Sequence, residues 1–215
     1  MRADDPVPID FWFTVGSTYT YLAAMRLPEV SRATGVAFRW RPFRLLTILQ
    51  EMKHVPFADK PAKCAYMWRD IERRAALYGV RWAGPPRYPL ADSGIPNRIA
   101  TLAALEGWCE GYVRAAYEGW FLQHENPDEP ANIERSLAQV GQDAGRVLAL
   151  ADGPAIHEAL KQSTDAARAV GIFGSPCFVT RGELFWGDDR LEDALAWHRR
   201  GTLAHETTID ARAGR

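Results

Sequence analysis

The chain has 215 residues, 47% of them hydrophobic, and 26 lysines and arginines against 27 aspartates and glutamates leave a net charge of -1. That is ample material for a packed core, and the balanced charge gives no basic excess to attract a phosphate backbone, so no nucleic-acid partner is expected. No apolar run is long enough to span a bilayer and the opening MRADDPVPID holds no signal-peptide core, so the reading predicts a cytoplasmic protein without a membrane partner.

Ile9 to Val15 predicts a strand, because Phe11-Trp12-Phe13-Thr14-Val15 suits a buried pleated surface. Gly16 breaks it. Tyr21, Leu22, Met25 and Val30 predict a helix from Tyr19 to Thr34, which Pro28 should kink or divide and Gly35 should stop. Ala37 to Phe43 alternates into a second strand, giving a β-α-β opening. A helix from Tyr66 to Tyr78 should end at Gly79, and Leu102, Leu105, Cys109, Tyr112, Val113, Ala116 and Trp120 mark one longer helix. The proline-rich stretch Gly84 to Pro96 reads as a loop between them, and HENPDEP, from His124, as another break. Helices are predicted at Asn132 to Leu150 and Pro154 to Val170.

After Gly171, short strands at Cys177 to Thr180 and Glu183 to Trp186 flank a turn at Arg181-Gly182. A last helix should begin with Asp189 as its cap, and the polar stretch past Gly201 should fray. The order β-α-β, helices, β-β-α is that of an α/β, thioredoxin-like sheet interrupted by a helical insertion. Residues 1–43 and 171–201 would form the thioredoxin-like domain, 44–170 the insertion and 202–215 a flexible tail. The two halves must pair to bury their apolar faces, so one cooperative unit is expected.

The three cysteines, Cys64, Cys109 and Cys177, form no CxxC pair, and the five histidines show no HExxH spacing, so neither a redox dithiol nor a metal site is expected. Three places could carry chemistry. Ser17 stands between a buried strand and a helix start, where free N–H groups favour an anion; alternatively Ser17 or Thr18 simply caps the helix. Pro176, in Gly174-Ser175-Pro176-Cys177, enters a strand. Asp188 and Asp189 join the last strand to the last helix.

Taken in order, IDFWFTVGSTYTYLA, GIFGSPCFV and ELFWGDDRLEDAL resemble the 2-hydroxychromene-2-carboxylate isomerases and kappa-class glutathione transferases, within the DsbA-like thioredoxin superfamily. The likeness runs through nearly the whole chain and is sharpest in these blocks. It implies a glutathione-binding homodimer that isomerises a small aromatic substrate; a kappa-like transferase and a non-catalytic glutathione-binding module are the other readings. Ser17 falls at the catalytic position, where superfamily disulfide oxidoreductases carry the first cysteine of CxxC. Its hydroxyl would bond the glutathione sulfur and favour the thiolate.

The same resemblance implies a cis bond before Pro176. The Ser175 main chain would pair with glutathione's cysteinyl portion, leaving the Ser175 side chain of little consequence. WGDDRL resembles the family's WG[NS]DR segment, which holds the γ-glutamyl end. Asp189 matches its acidic member, whereas Asp188 replaces a neutral residue and should either turn outward or change the binding. Thr14 and Thr18 stand where the family commonly has Asp and Pro. Tyr19, Phe43, Lys63 and Trp186 are the candidate substrate contacts.

Overall fold

A computed structural model describes residues 7–54, 60–90 and 94–204. Strand β1 (Ile9–Phe13) leads into helix α1 (Thr18–Thr34), which crosses to β2 (Phe38–Pro42), parallel to β1. Far along the chain, β3 (Cys177–Thr180) returns antiparallel to β1, and β4 (Glu183–Trp186) pairs with β3. The sheet order is β2-β1-β3-β4.

Alternation along β1 decides what each face buries. Ile9, Phe11 and Phe13 enter the main core, where Phe11 stacks on its cross-strand partner Phe178 at 5.4 Å. Trp12 enters a second cluster with Phe43, Ile48, Ala167, Ile172 and Cys177 on the opposite face. Each fully buried aromatic contributes roughly 1.5–3 kcal/mol.

Between β2 and β3 lie α2 (Leu45–Glu51), α3 (Pro61–Tyr78), α4 (Ile95–Glu106), α5 (Cys109–Gln123), α6 (Pro130–Gln139), α7 (Ala144–Ala151) and α8 (Pro154–Ala169). A 3-10 turn at Asp188–Arg190 then leads into α9 (Leu191–Arg200). No helix among the described residues is long and apolar enough to cross a membrane.

Several expectations are corrected. The single helix through Leu102 and Trp120 is two, because Gly107 takes φ 87 and its N–H closes α4 on Ala103 O at 2.9 Å. Leu105 is therefore off the buried face and exposed. The helix expected at Asn132 to Leu150 is also two: Gly141 is left-handed, and Asp143 caps α7 by accepting from Arg146 N at 2.6 Å. Pro28 does not divide α1, which runs to Thr34 with Leu22 and Leu27 packed in the core. Helix α2 was not foreseen. Asp189 makes no cap; it lies inside the 3-10 turn, and Arg190 precedes α9. From residue 205 on, the expected tail lies outside the described residues.

Candidate active site

Gly16, at φ 122, turns the chain out of β1 so that Ser17 stands at the N-cap of α1. The Ser17 side chain makes no capping bond. Its hydroxyl instead crosses to the loop that precedes β3 and donates to Ser175 O at 2.8 Å. Ser17 is part-exposed, and the N-terminal turn of α1 beside it carries no side-chain cap from Ser17.

The surrounding loop is held from three directions. Asn97, near the start of α4, accepts from Val15 N at 2.7 Å and from Thr14 Oγ1 at 3.2 Å, and donates to Val15 O at 3.2 Å. Tyr117 of α5 places its buried hydroxyl 3.0 Å from both Thr14 O and Ser17 O. Thr18 donates to Met67 Sδ at 3.2 Å. Thr14 and Thr18 are thus buried with satisfied hydroxyls.

The Ser175-Pro176 bond is cis. Contrary to expectation, the Ser175 side chain is engaged. Its Oγ accepts from Thr14 N at 3.1 Å and lies 2.9 Å from Thr20 Oγ1, tying the proline loop to β1 and α1. Next to it Gly174 carries the indole of Trp186; a Cβ there would overlap the ring at Trp186 Nε1. Trp186 is 54% exposed and meets Phe173, itself 40% exposed, edge to face at 4.8 Å. Gly187 N donates to Pro176 O at 2.9 Å, which fixes the acidic turn against the same loop.

Asp188 is turned inward, not outward, and is only 2% exposed. Its Oδ2 lies 3.5 Å from Arg74 Nη1 without completing a hydrogen bond. Burial pushes its carboxyl up to about 6, against the lowering effect of Arg74. Arg74 also bonds Asp70 Oδ2 at 2.9 Å and lies 3.6 Å from Asp189 Oδ2. Asp70 in turn accepts from the Tyr19 hydroxyl at 3.0 Å, and burial together with that carboxylate keeps the phenol protonated. A continuous chain of polar contacts therefore joins the acidic turn to the first turn of α1, two residues past Ser17.

The fold brings Ser17, Tyr19, Ser175, Pro176, Trp186, Asp188 and Asp189 together. Lys63 is exposed on the first turn of α3, one turn before the Met67 that touches Thr18, and so shares the helix face turned to α1. Phe43 is not part of this group. It is fully buried against Trp12, because β2 directs it into the second core cluster. Asn97, Tyr117, Asp70 and Arg74 were missed; a tyrosine hydroxyl on an apolar helix face signals a buried acceptor, but nothing local identifies which one.

Among the cysteines, Cys109 and Cys177 are buried thiols, and burial pushes Cys177 up to about 12. Neither is poised as a thiolate.

A family model described as a DSBA-like thioredoxin domain matches residues 8–196. The 2-hydroxychromene-2-carboxylate isomerase of Sphingobium xenophagum is 28% identical over 186 residues, covering 86% of this chain and 94% of that protein. Glutathione S-transferase kappa 1 of Caenorhabditis elegans is 32% identical over 198 residues, covering 85% of this chain and 87% of that protein. A solved 2-hydroxychromene-2-carboxylate isomerase superposes with a TM-score of 0.78 at 24% identity, covering 91% of this chain and 97% of that one.

Proposed function

The chain belongs to the DSBA-like thioredoxin family, and we propose that it is a glutathione-dependent isomerase of a small aromatic substrate, with Ser17 stabilising the glutathione thiolate. The observation that carries this reading is the Ser17 hydroxyl, which occupies a capping position yet reaches across to Ser175 O at 2.8 Å. Isomerases and glutathione transferases among its relatives support enzymatic chemistry of this kind.

The residues present fit a thiol tripeptide at its sulfur and ammonium ends. Ser17 offers a donor at the end of α1, and Asp189, part-exposed, offers a carboxylate to an ammonium group. A ligand carboxylate would find no neutral donor at Asp188, so Arg74 is its partner of choice in this turn. When bound, glutathione would supply a thiolate that adds reversibly to a conjugated double bond, permits rotation and leaves again.

The protein's part is orientation and charge. Rotation of the Ser17 hydroxyl from the Ser175 carbonyl towards the sulfur frees that carbonyl to accept a ligand N–H. The α1 terminus stabilises the negative charge. Trp186 presents an exposed aromatic face beside the loop, and Tyr19 and Lys63 line the approach from α1 and α3. The same site could hold glutathione for transfer, a reading favoured by the 32% identity to the kappa transferase.

Product analysis decides between them. Incubation with glutathione and 2-hydroxychromene-2-carboxylate should yield the ring-opened isomer with all glutathione recovered. A stable adduct with an electrophile, without isomer, would establish the transferase, and binding without conversion would establish a non-catalytic module. We further propose a homodimer, which sedimentation velocity would register at twice the chain mass.

A further inference from the structure

Away from Ser17, a cleft of about 450 Å3 opens between α1, the C-terminal end of α3 and α5, a size typical of small-ligand sites. Most charges around it are already matched. Arg81 bonds Glu118 at 2.7 Å, Glu29 bonds Arg32, and Arg26 bonds Glu192 while stacking over the Tyr78 ring at 3.7 Å.

Arg114, on α5, is the exception. Its Nε is buried with no hydrogen-bond acceptor, and its guanidinium forms no ion pair among the described residues. That Nε is closed to solvent, but Arg114 lines the cleft and its two Nη groups take no hydrogen bond among the described residues, so a ligand in the cleft can supply the acceptor they lack. The cleft is lined by three arginines and two glutamates, leaving a single positive charge in excess, while Met25, Val30 and Val80 supply apolar surface.

We propose that this cleft is a second ligand site, which binds a small monocarboxylate with an apolar body, its carboxylate on Arg114 and its body against Met25, Val30 and Val80. A guanidinium pairs with a carboxylate through two parallel N–H bonds. One excess charge matches one negative charge, and the nearby Glu29 and Glu118 would repel a dianion such as a phosphate monoester. The site is independent of the Ser17 reading, since no residue of the thiol site is needed to form it.

Calorimetric titration of the full chain with hexanoate and with its uncharged isostere hexanamide tests the assignment. The acid should bind about tenfold more tightly or better, and the preference should vanish in Arg114→Gln but persist in Ser17→Ala. Amide resonances of the wild-type protein should shift around Val80 and Arg114 on adding hexanoate, a readout that does not depend on any variant folding. Equal binding of acid and amide, a preference that survives Arg114→Gln, no binding, or shifts confined to the Ser17 loop would overturn the proposal.

Discussion

Ser17, Ser175 and Asp188 each do something that residue type alone does not reveal. Serine at a strand-to-helix junction is compatible with a cap, and only the fold shows its hydroxyl spent on Ser175 O instead. The Ser175 side chain ties two segments 161 residues apart in sequence, a contact invisible to spacing. Ser175→Ala would strand the Thr14 N–H, and chemical denaturation should show a loss of about 1–3 kcal/mol. Asp188 titrates in the opposite sense to a salt-bridged carboxylate. Its folded pKa, about 6, lies above the ordinary 3.8, so the folded form holds the extra proton and stability falls as pH rises through that window. Asp188→Asn should therefore raise stability above pH 6 by about 1–3 kcal/mol at most, read as a higher thermal midpoint, with the gain fading below about pH 4. A gain that persists unchanged in acid would mean that Asp188 is not the titrating group.

Among the elements, the strands and the outer limits of the helical segment were legible because alternation and glycine stops are local signals. β3 and β4 fall where the apolar runs and the Arg181-Gly182 turn place them. What local pattern could not resolve was continuity: apolar residues on either side of Gly107 and Gly141 keep a helical spacing across a left-handed break. Helix α4 matters most to the site, since Asn97 satisfies both Val15 backbone groups. Asn97→Ala should slow turnover as well as lower stability by about 1–3 kcal/mol, because the loop carrying Ser17 loses its anchor. Gly174 has a parallel role towards β4. A methyl there must displace the Trp186 indole, so Gly174→Ala should reduce turnover of an aromatic substrate roughly tenfold or more. In a Trp186→Ala background the same change should be nearly silent, and additive losses in the double variant would separate Gly174 from the indole.

Over the whole molecule, the main core runs without interruption from Phe11 and Phe178 in the sheet to Ile71, Tyr117, Trp120 and Leu137 in the helices. We propose that 44–170 is an insertion in topology that does not unfold separately; calorimetric and van't Hoff enthalpies should agree, and two resolved transitions would contradict this. The thioredoxin-like class was legible from element order and three sequence blocks, whereas the acidic network through Arg74 was not, since with Tyr19 bonded to Asp70 it joins α1, α3 and the acidic turn, three segments that only the fold assembles. Under the proposed function, the site as a whole would act on one quantity, the ionisation of a bound thiol. An ordinary thiol has a pKa of about 8.5, and one charge-assisted bond from Ser17 would lower it by about one to two pH units. Ultraviolet thiolate absorbance of the glutathione complex, titrated against pH in the wild type and in Ser17→Ala, measures this directly. The wild-type midpoint should lie well below that of free glutathione, and the variant should return towards it with strongly reduced turnover; superimposable titrations with undiminished turnover would leave Ser17 a structural residue only.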